Sequence, residues 1–152
     1  MVIFTPRVVG LLAGLVNFGS LAFNGCFTAR AEIAAPNPNV FSTFGQLMIL
    51  VWGVAFALAG VSDDGNGTPS KVWLAFALEK TCYVAAWVIY TMEYGHDLAA
   101  MRHALGAGNL QGLLVPAFHM LYGPVDFTFL LLFAHLGMQS MRVAAAPARK
   151  RA

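Results

Sequence analysis

The stretch Phe76–Tyr90, "FALEKTCYVAAWVIY", places two charged residues, Glu79 and Lys80, side by side inside an apolar and aromatic run. Extended over 72–94, this run is long enough to cross a hydrocarbon core about 30 Å thick, which takes roughly 20 helical residues. It predicts a membrane-spanning helix carrying ionisable groups well inside its ends, where they face a bundle interior rather than lipid. Composition points the same way. Hydrophobic residues make up 59% of the 152 and charged residues 11%, against roughly 45–50% and 25% in soluble domains. So few charges cannot cover so large an apolar inventory in water.

Working outward, three more segments have spanning length and character: 7–29, 43–62 and 124–141. The expected fold is therefore all-α: a polytopic four-transmembrane-helix bundle forming one domain over 1–141. The segment between the third and fourth spans, "HDLAAMRHALGAGNLQGLLVPAFHMLYG", is too short and too interrupted to cross. It reads as a short interfacial or re-entrant helical segment before the last span. Pro124 is taken as the start of the fourth helix, and residues 142–152 as a basic, disordered tail. The first span carries features of a signal peptide, including Ala29-Arg30-Ala31, but that site lies late and the span is expected to be retained.

Lys and Arg fall unevenly about these spans. Arg7, Lys71, Arg142, Arg149, Lys150 and Arg151 lie on one side, and Arg30 and Arg102 on the other. By the positive-inside rule both termini are cytoplasmic, in a cell (inner) membrane. The net charge is only +2, with no dense basic patch, so nucleic acid is not an expected partner. The expected partners are the lipid bilayer, a second copy or other subunit of a membrane complex, and a lipophilic small molecule.

Helix faces give the packing candidates. Gly10 and Gly14 form a G-x-x-x-G pair that Asn17 and Asn24 continue, and Gly53, Ala57 and Gly60 make a looser version on the second span. Self-association through the Gly10/Gly14 face is the expectation. On the third span Glu79, Tyr83, Ala86, Tyr90 and Glu93 recur at steps of three and four, so they share a stripe.

Depth sorts the polar residues into two layers. At about 1.5 Å per residue, Glu79 lies roughly 10 Å from the inner end and His135 roughly 9 Å, with Lys80 one residue deeper and Asn17 just beyond. Asn24, Gln46, Tyr90 and Asp126 form the second layer, nearer the outside. A charge at such depth costs about 2.5–3.5 kcal/mol on insertion scales, so a compensating partner is required. Lys80 is expected to run its stem toward the inner surface, while Glu79, too short for that, is either protonated or meets a partner such as His135, Asn17 or Lys80 of another chain. Asp126, just after Pro124, is read as a helix cap.

Several chemistries are absent by spacing. His96 and His103 are seven residues apart, too far along a helix to share an ion, and no histidine lies in the first three spans to clasp a haem. Glu93, His96, Asp97 and His119 give only a weak zinc signal. Cys26 and Cys82 lie at different depths and make no C-x-x-C motif. "DDGNG" lacks the later glutamate of a calcium loop. No motif indicates a cofactor or a metal. The leading expectation is a small membrane protein that binds a lipophilic ligand or a partner subunit through the intramembrane polar layer. The alternative is a membrane-embedded enzyme or proton-coupled carrier with Glu79 and His135 as acid and base.

Overall fold

The computed structural model describes residues 4–27, 30–62, 68–94 and 97–145. Seven helices run through them: α1 Pro6–Phe23, α2 Ala31–Ala34, α3 Pro38–Phe41, α4 Thr43–Val61, α5 Ser70–Tyr94, α6 Asp97–Gly106 and α7 Leu110–Ala145. No strand occurs among the described residues. The long helices α1, α4, α5 and α7 are each long and apolar enough to cross a membrane.

Local chemistry sets where the helices begin. Thr5 precedes Pro6, and its hydroxyl accepts from the Val8 amide at 3.3 Å. Ser42 does the same for Gly45 at 3.2 Å. Each hydroxyl answers one of the amides that a first turn leaves without a partner. At the start of α7 the Asn109 carboxamide accepts from Gly112 at 2.9 Å.

The start of α7 differs from the expectation. The helix does not begin at Pro124 but at Leu110, and it carries both Pro116 and Pro124 inside it. Each proline removes one amide donor, that for the Gly112 or the Met120 carbonyl, without ending the helix. Packing on α5 holds the segment straight enough to continue: the Trp87 ring fills the space where Gly123 lacks a side chain. The Trp87 indole also donates to the His119 carbonyl at 3.0 Å. The short helix before the last span is thus α6 alone, packed on the first part of α7. At its other end α7 continues into the expected tail as far as Ala145, and 146–152 lie outside the described residues, as does the "DDGNG" stretch.

Two antiparallel pairs build the bundle. In the α1/α4 pair, backbone meets backbone. A Cβ on Gly10 would stand 2.7 Å from the Phe56 carbonyl and 2.8 Å from the Gly60 Cα, and one on Gly14 would stand 2.9 Å from the Gly53 carbonyl. The Gly10/Gly14 face is therefore buried inside the chain and is not a surface for self-association; its complement is the Gly53, Ala57 and Gly60 face of α4. The α5/α7 pair instead interlocks side chains, Trp87 against Gly123 and Leu74 against Gly137. Between the pairs lies an aromatic core of Phe56, Trp73, Phe76 and Phe133, with ring centroids 4.8 Å apart for Phe56–Phe76 and 5.0 Å for Phe56–Phe133. Val9 and Ala13 of α1 close it from the other side.

Candidate functional site

Just beyond the aromatic core, α5 turns two consecutive charged side chains inward. Glu79 is 6% exposed and Lys80 2%, while Leu78 beside them is 67% exposed. Neighbours on a helix point about 100° apart, so one inward arc holds both residues and aims them at different helices.

Lys80 is the centre. Its Nζ donates to Asp126 Oδ1 at 2.6 Å and to Asn17 Oδ1 at 3.3 Å, and lies 3.7 Å from Glu79 Oε2. The Phe56 and Tyr83 ring centroids are 5.0 and 5.5 Å from the same nitrogen, close enough for the ring faces to stabilise its charge. Lys80 therefore does not extend toward a surface. Asp126 offers an opposite charge at 2.6 Å, and that offsets the desolvation which snorkelling would otherwise relieve.

Asn17 joins this cluster to the other helix pair. Its amide donates to the Ile49 carbonyl of α4 at 3.1 Å while its oxygen accepts from Lys80. Gly53 makes room for it, since a Cβ there would stand 3.0 Å from the Asn17 Cβ. Three helices thus contribute to one polar knot: α1 through Asn17, α5 through Glu79 and Lys80, and α7 through Asp126. Glu79 has the least support. Neither carboxyl oxygen has a hydrogen-bond partner among the described residues.

The structure redistributes the two expected layers. Asp126 leaves the outer layer and pairs with Lys80; in the interior of α7 it does not cap a helix start. His135 leaves the inner layer altogether. It is exposed on the outer face of α7 and cannot serve as the acid–base partner of buried Glu79. Gln46 is fully buried and ties the chain after α1 to α3, accepting from the Phe27 amide at 2.7 Å and donating to the Phe41 carbonyl at 3.1 Å. Asn24 donates to the Ser20 carbonyl at 2.9 Å. Tyr90 meets buried His119, its hydroxyl 2.7 Å from the ring Nδ1. None of these hydrogen bonds involves Asn17, Glu79, Lys80 or Asp126.

Beside the knot lies a cavity of about 300 Å³. Lys80, Asp126 and Asn17 contribute its polar floor, and its wall is aromatic: Phe23, Phe41, Tyr83, Phe118 and Tyr122. Val16, Gly19 and Leu121, all exposed, form a rim between α1 and α7, so the cavity opens sideways between those helices. Glu79 stands behind Lys80 and does not line it.

Most of the aromatic wall escaped the sequence reading. Tyr122 accepts from the Asn37 carboxamide at 2.8 Å and lines the cavity four residues before Asp126. That i, i+4 spacing, once α7 is continuous through Pro124, is the signal that could have found it. Phe41 and Phe118 come from segments far apart in sequence, and no local pattern links them.

Among the described residues no three His, Cys, Asp or Glu side chains gather as a metal site would need. In the weak zinc set Glu93 is exposed, His119 meets Tyr90, and His96 lies outside the described residues. Cys26 and Cys82 are both free and exposed. No protein-family model, curated protein or solved structure matches this chain.

Proposed function

We propose that this is a small integral membrane protein that binds a lipophilic molecule in the cavity between α1 and α7, with Asn17, Lys80 and Asp126 gripping its polar end. The observation that carries the reading is the cavity itself: an aromatic-walled space that opens sideways and ends on a buried ion pair. Ligand pockets of about 300–1,000 Å³ that are mostly apolar, with a few converging polar groups, are the usual form of a small-molecule site. The exterior supports a bilayer setting, with Leu15, Leu78 and Met92 exposed at 68, 67 and 82%. Exposed Arg7, Lys71 and Arg142 share one end of the bundle, and Arg30 and Arg102 the other. This favours cytoplasmic termini in an inner membrane. In a background lacking Cys26 and Cys82, thiol labelling of Arg142→Cys from the cytoplasmic side only is the expected result.

Gly19 provides the direct test. It lines the cavity, and a Cβ there meets nothing within 4 Å, so Gly19→Leu adds bulk at the mouth from a Cβ that stands in open space. Native mass spectrometry from nanodiscs should retain a lipophilic molecule on the wild type and lose it in this variant. Equal retention by both proteins would overturn the reading.

A second reading, a membrane-embedded enzyme or proton-coupled carrier, has one supporting feature. Glu79 carries a buried carboxyl with no hydrogen bond, beside an ammonium already committed to Asp126. Acid–base exchange would then run between Glu79, Lys80 and Asp126, without His135.

A further inference from the structure

We infer that the occupant of the cavity is a hydrophobic monocation, an amine or quaternary ammonium on an apolar body, and that its entry displaces a proton from the Glu79–Lys80–Asp126 cluster. The inference rests on the cavity being a ligand site and adds the sign of the ligand's charge.

The knot holds two carboxyl groups and one amine, with Asn17 neutral. All are buried, and an unbalanced charge in such surroundings is costly. An empty cavity therefore requires one carboxyl to keep its proton. A monovalent cation supplies the same balance from outside. In the exchange, one carboxyl O–H bond breaks, the proton leaves to water, and the resulting carboxylate and the bound cation neutralise each other.

The geometry provides the seats. Asp126 lines the cavity, while Glu79 stands behind Lys80 with both oxygens unbonded. The Lys80 ammonium is 2.6 Å from the first carboxylate and 3.7 Å from the second. A small swing of Lys80 onto Glu79 leaves Asp126 to the ligand. Glu79 is thereby a positioning residue, acting on the ligand through Lys80.

The wall agrees with the floor. Ring faces attract cations, and five aromatic residues surround the space. Phe23 and Phe118 stack at 4.7 Å, and Phe41 meets Tyr122 edge-on at 5.1 Å, so the wall rings brace one another. An anionic head would bring an uncompensated negative charge to the same floor. A neutral head would leave the balance as it is and gain less from the rings.

The test uses three probes with one chain length, added to the full-length protein in nanodiscs: dodecyltrimethylammonium, dodecanol and dodecanoate. The cation should bind tightest, by roughly tenfold over the alcohol, and dodecanoate weakest. Titration in two buffers of different ionisation enthalpy should show about one proton released per cation bound. Gly19→Leu should abolish cation binding. In Glu79→Gln the ratio of cation to alcohol affinity should fall toward one; if that variant does not fold, wild-type proton release still decides. Alcohol or carboxylate binding as tightly as the cation, still blocked by Gly19→Leu, would overturn the inference and leave the pocket reading standing. Absence of proton release would overturn the exchange. If Gly19→Leu blocks none of the three, the pocket reading fails and the inference with it.

Discussion

The two helix pairs solve the same packing problem by opposite means. Along α1/α4, Gly10, Gly14, Gly53 and Gly60 remove side chains so that backbones touch. Along α5/α7, Trp87 and Leu74 fill the gaps left by Gly123 and Gly137, and Lys80 reaches Asp126. At Gly10 and Gly60 the facing atoms are backbone, which cannot rotate away. The side-chain seam has parts that can move; the ion pair lies in it, and the cavity lies beside it, opening between α7 and α1. A small-residue interface suits permanent packing, whereas a long-side-chain interface leaves room for an occupant.

The largest effect should come from the ion pair. Asp126→Leu removes the nearest counter-charge of Lys80 and should cost up to about 3–5 kcal/mol, less whatever Glu79, 3.7 Å away, recovers, read as denaturant unfolding in mild detergent. Adding Lys80→Met should restore most of that loss. A single variant within 1 kcal/mol of wild type would mean that the pair contributes little to the α5/α7 seam.

Next come the seams themselves. Gly10→Leu should cost about 1–3 kcal/mol or more by overpacking, with no trimming possible at the Phe56 carbonyl or Gly60. Gly123→Val should cost a similar amount alone, but Trp87→Ala in the same chain should recover part of it. Equal rescue in both seams, using Phe56→Ala as the partner of Gly10→Leu, would erase the contrast. Thermal unfolding of the four single and double variants measures it.

Asn17→Ala should cost about 1–3 kcal/mol, because the Ile49 carbonyl and Lys80 each lose a partner where water is excluded. This variant probes the polar bridge by which the Lys80 knot joins the two seams. The smallest effect belongs to Gly19→Leu, which should change stability by no more than about 0.5 kcal/mol while closing the cavity mouth. A larger loss would show that the rim is part of the packing.

The four long helices were legible in the sequence because their apolar runs are continuous, although the start of α7 is Leu110 and not Pro124. The mating faces Gly10/Gly14 and Gly53/Ala57 were legible as small faces, but not as each other's partner. Spacing shows which residues share a face and does not show which helix covers it. The burial of Glu79 and Lys80 was readable in part, since both lie in the middle of an apolar run. The Lys80 partner was missed because Asp126 follows a proline, and that context reads as a helix cap. His135 was misplaced for a related reason: depth along a helix fixes height and leaves the direction around the axis open.

What the chain determines by itself is thus the inventory and the height of each group. An 11% charged, 59% hydrophobic sequence can only form long apolar helices, and the few ionisable residues inside them need partners. Which partner each one takes was decided by tertiary structure. Helix rotation and the continuity of α7 through Pro124 turn Asp126 toward Lys80 and His135 away, and a rotation about the axis changes contacts without changing any residue's spacing or hydropathy.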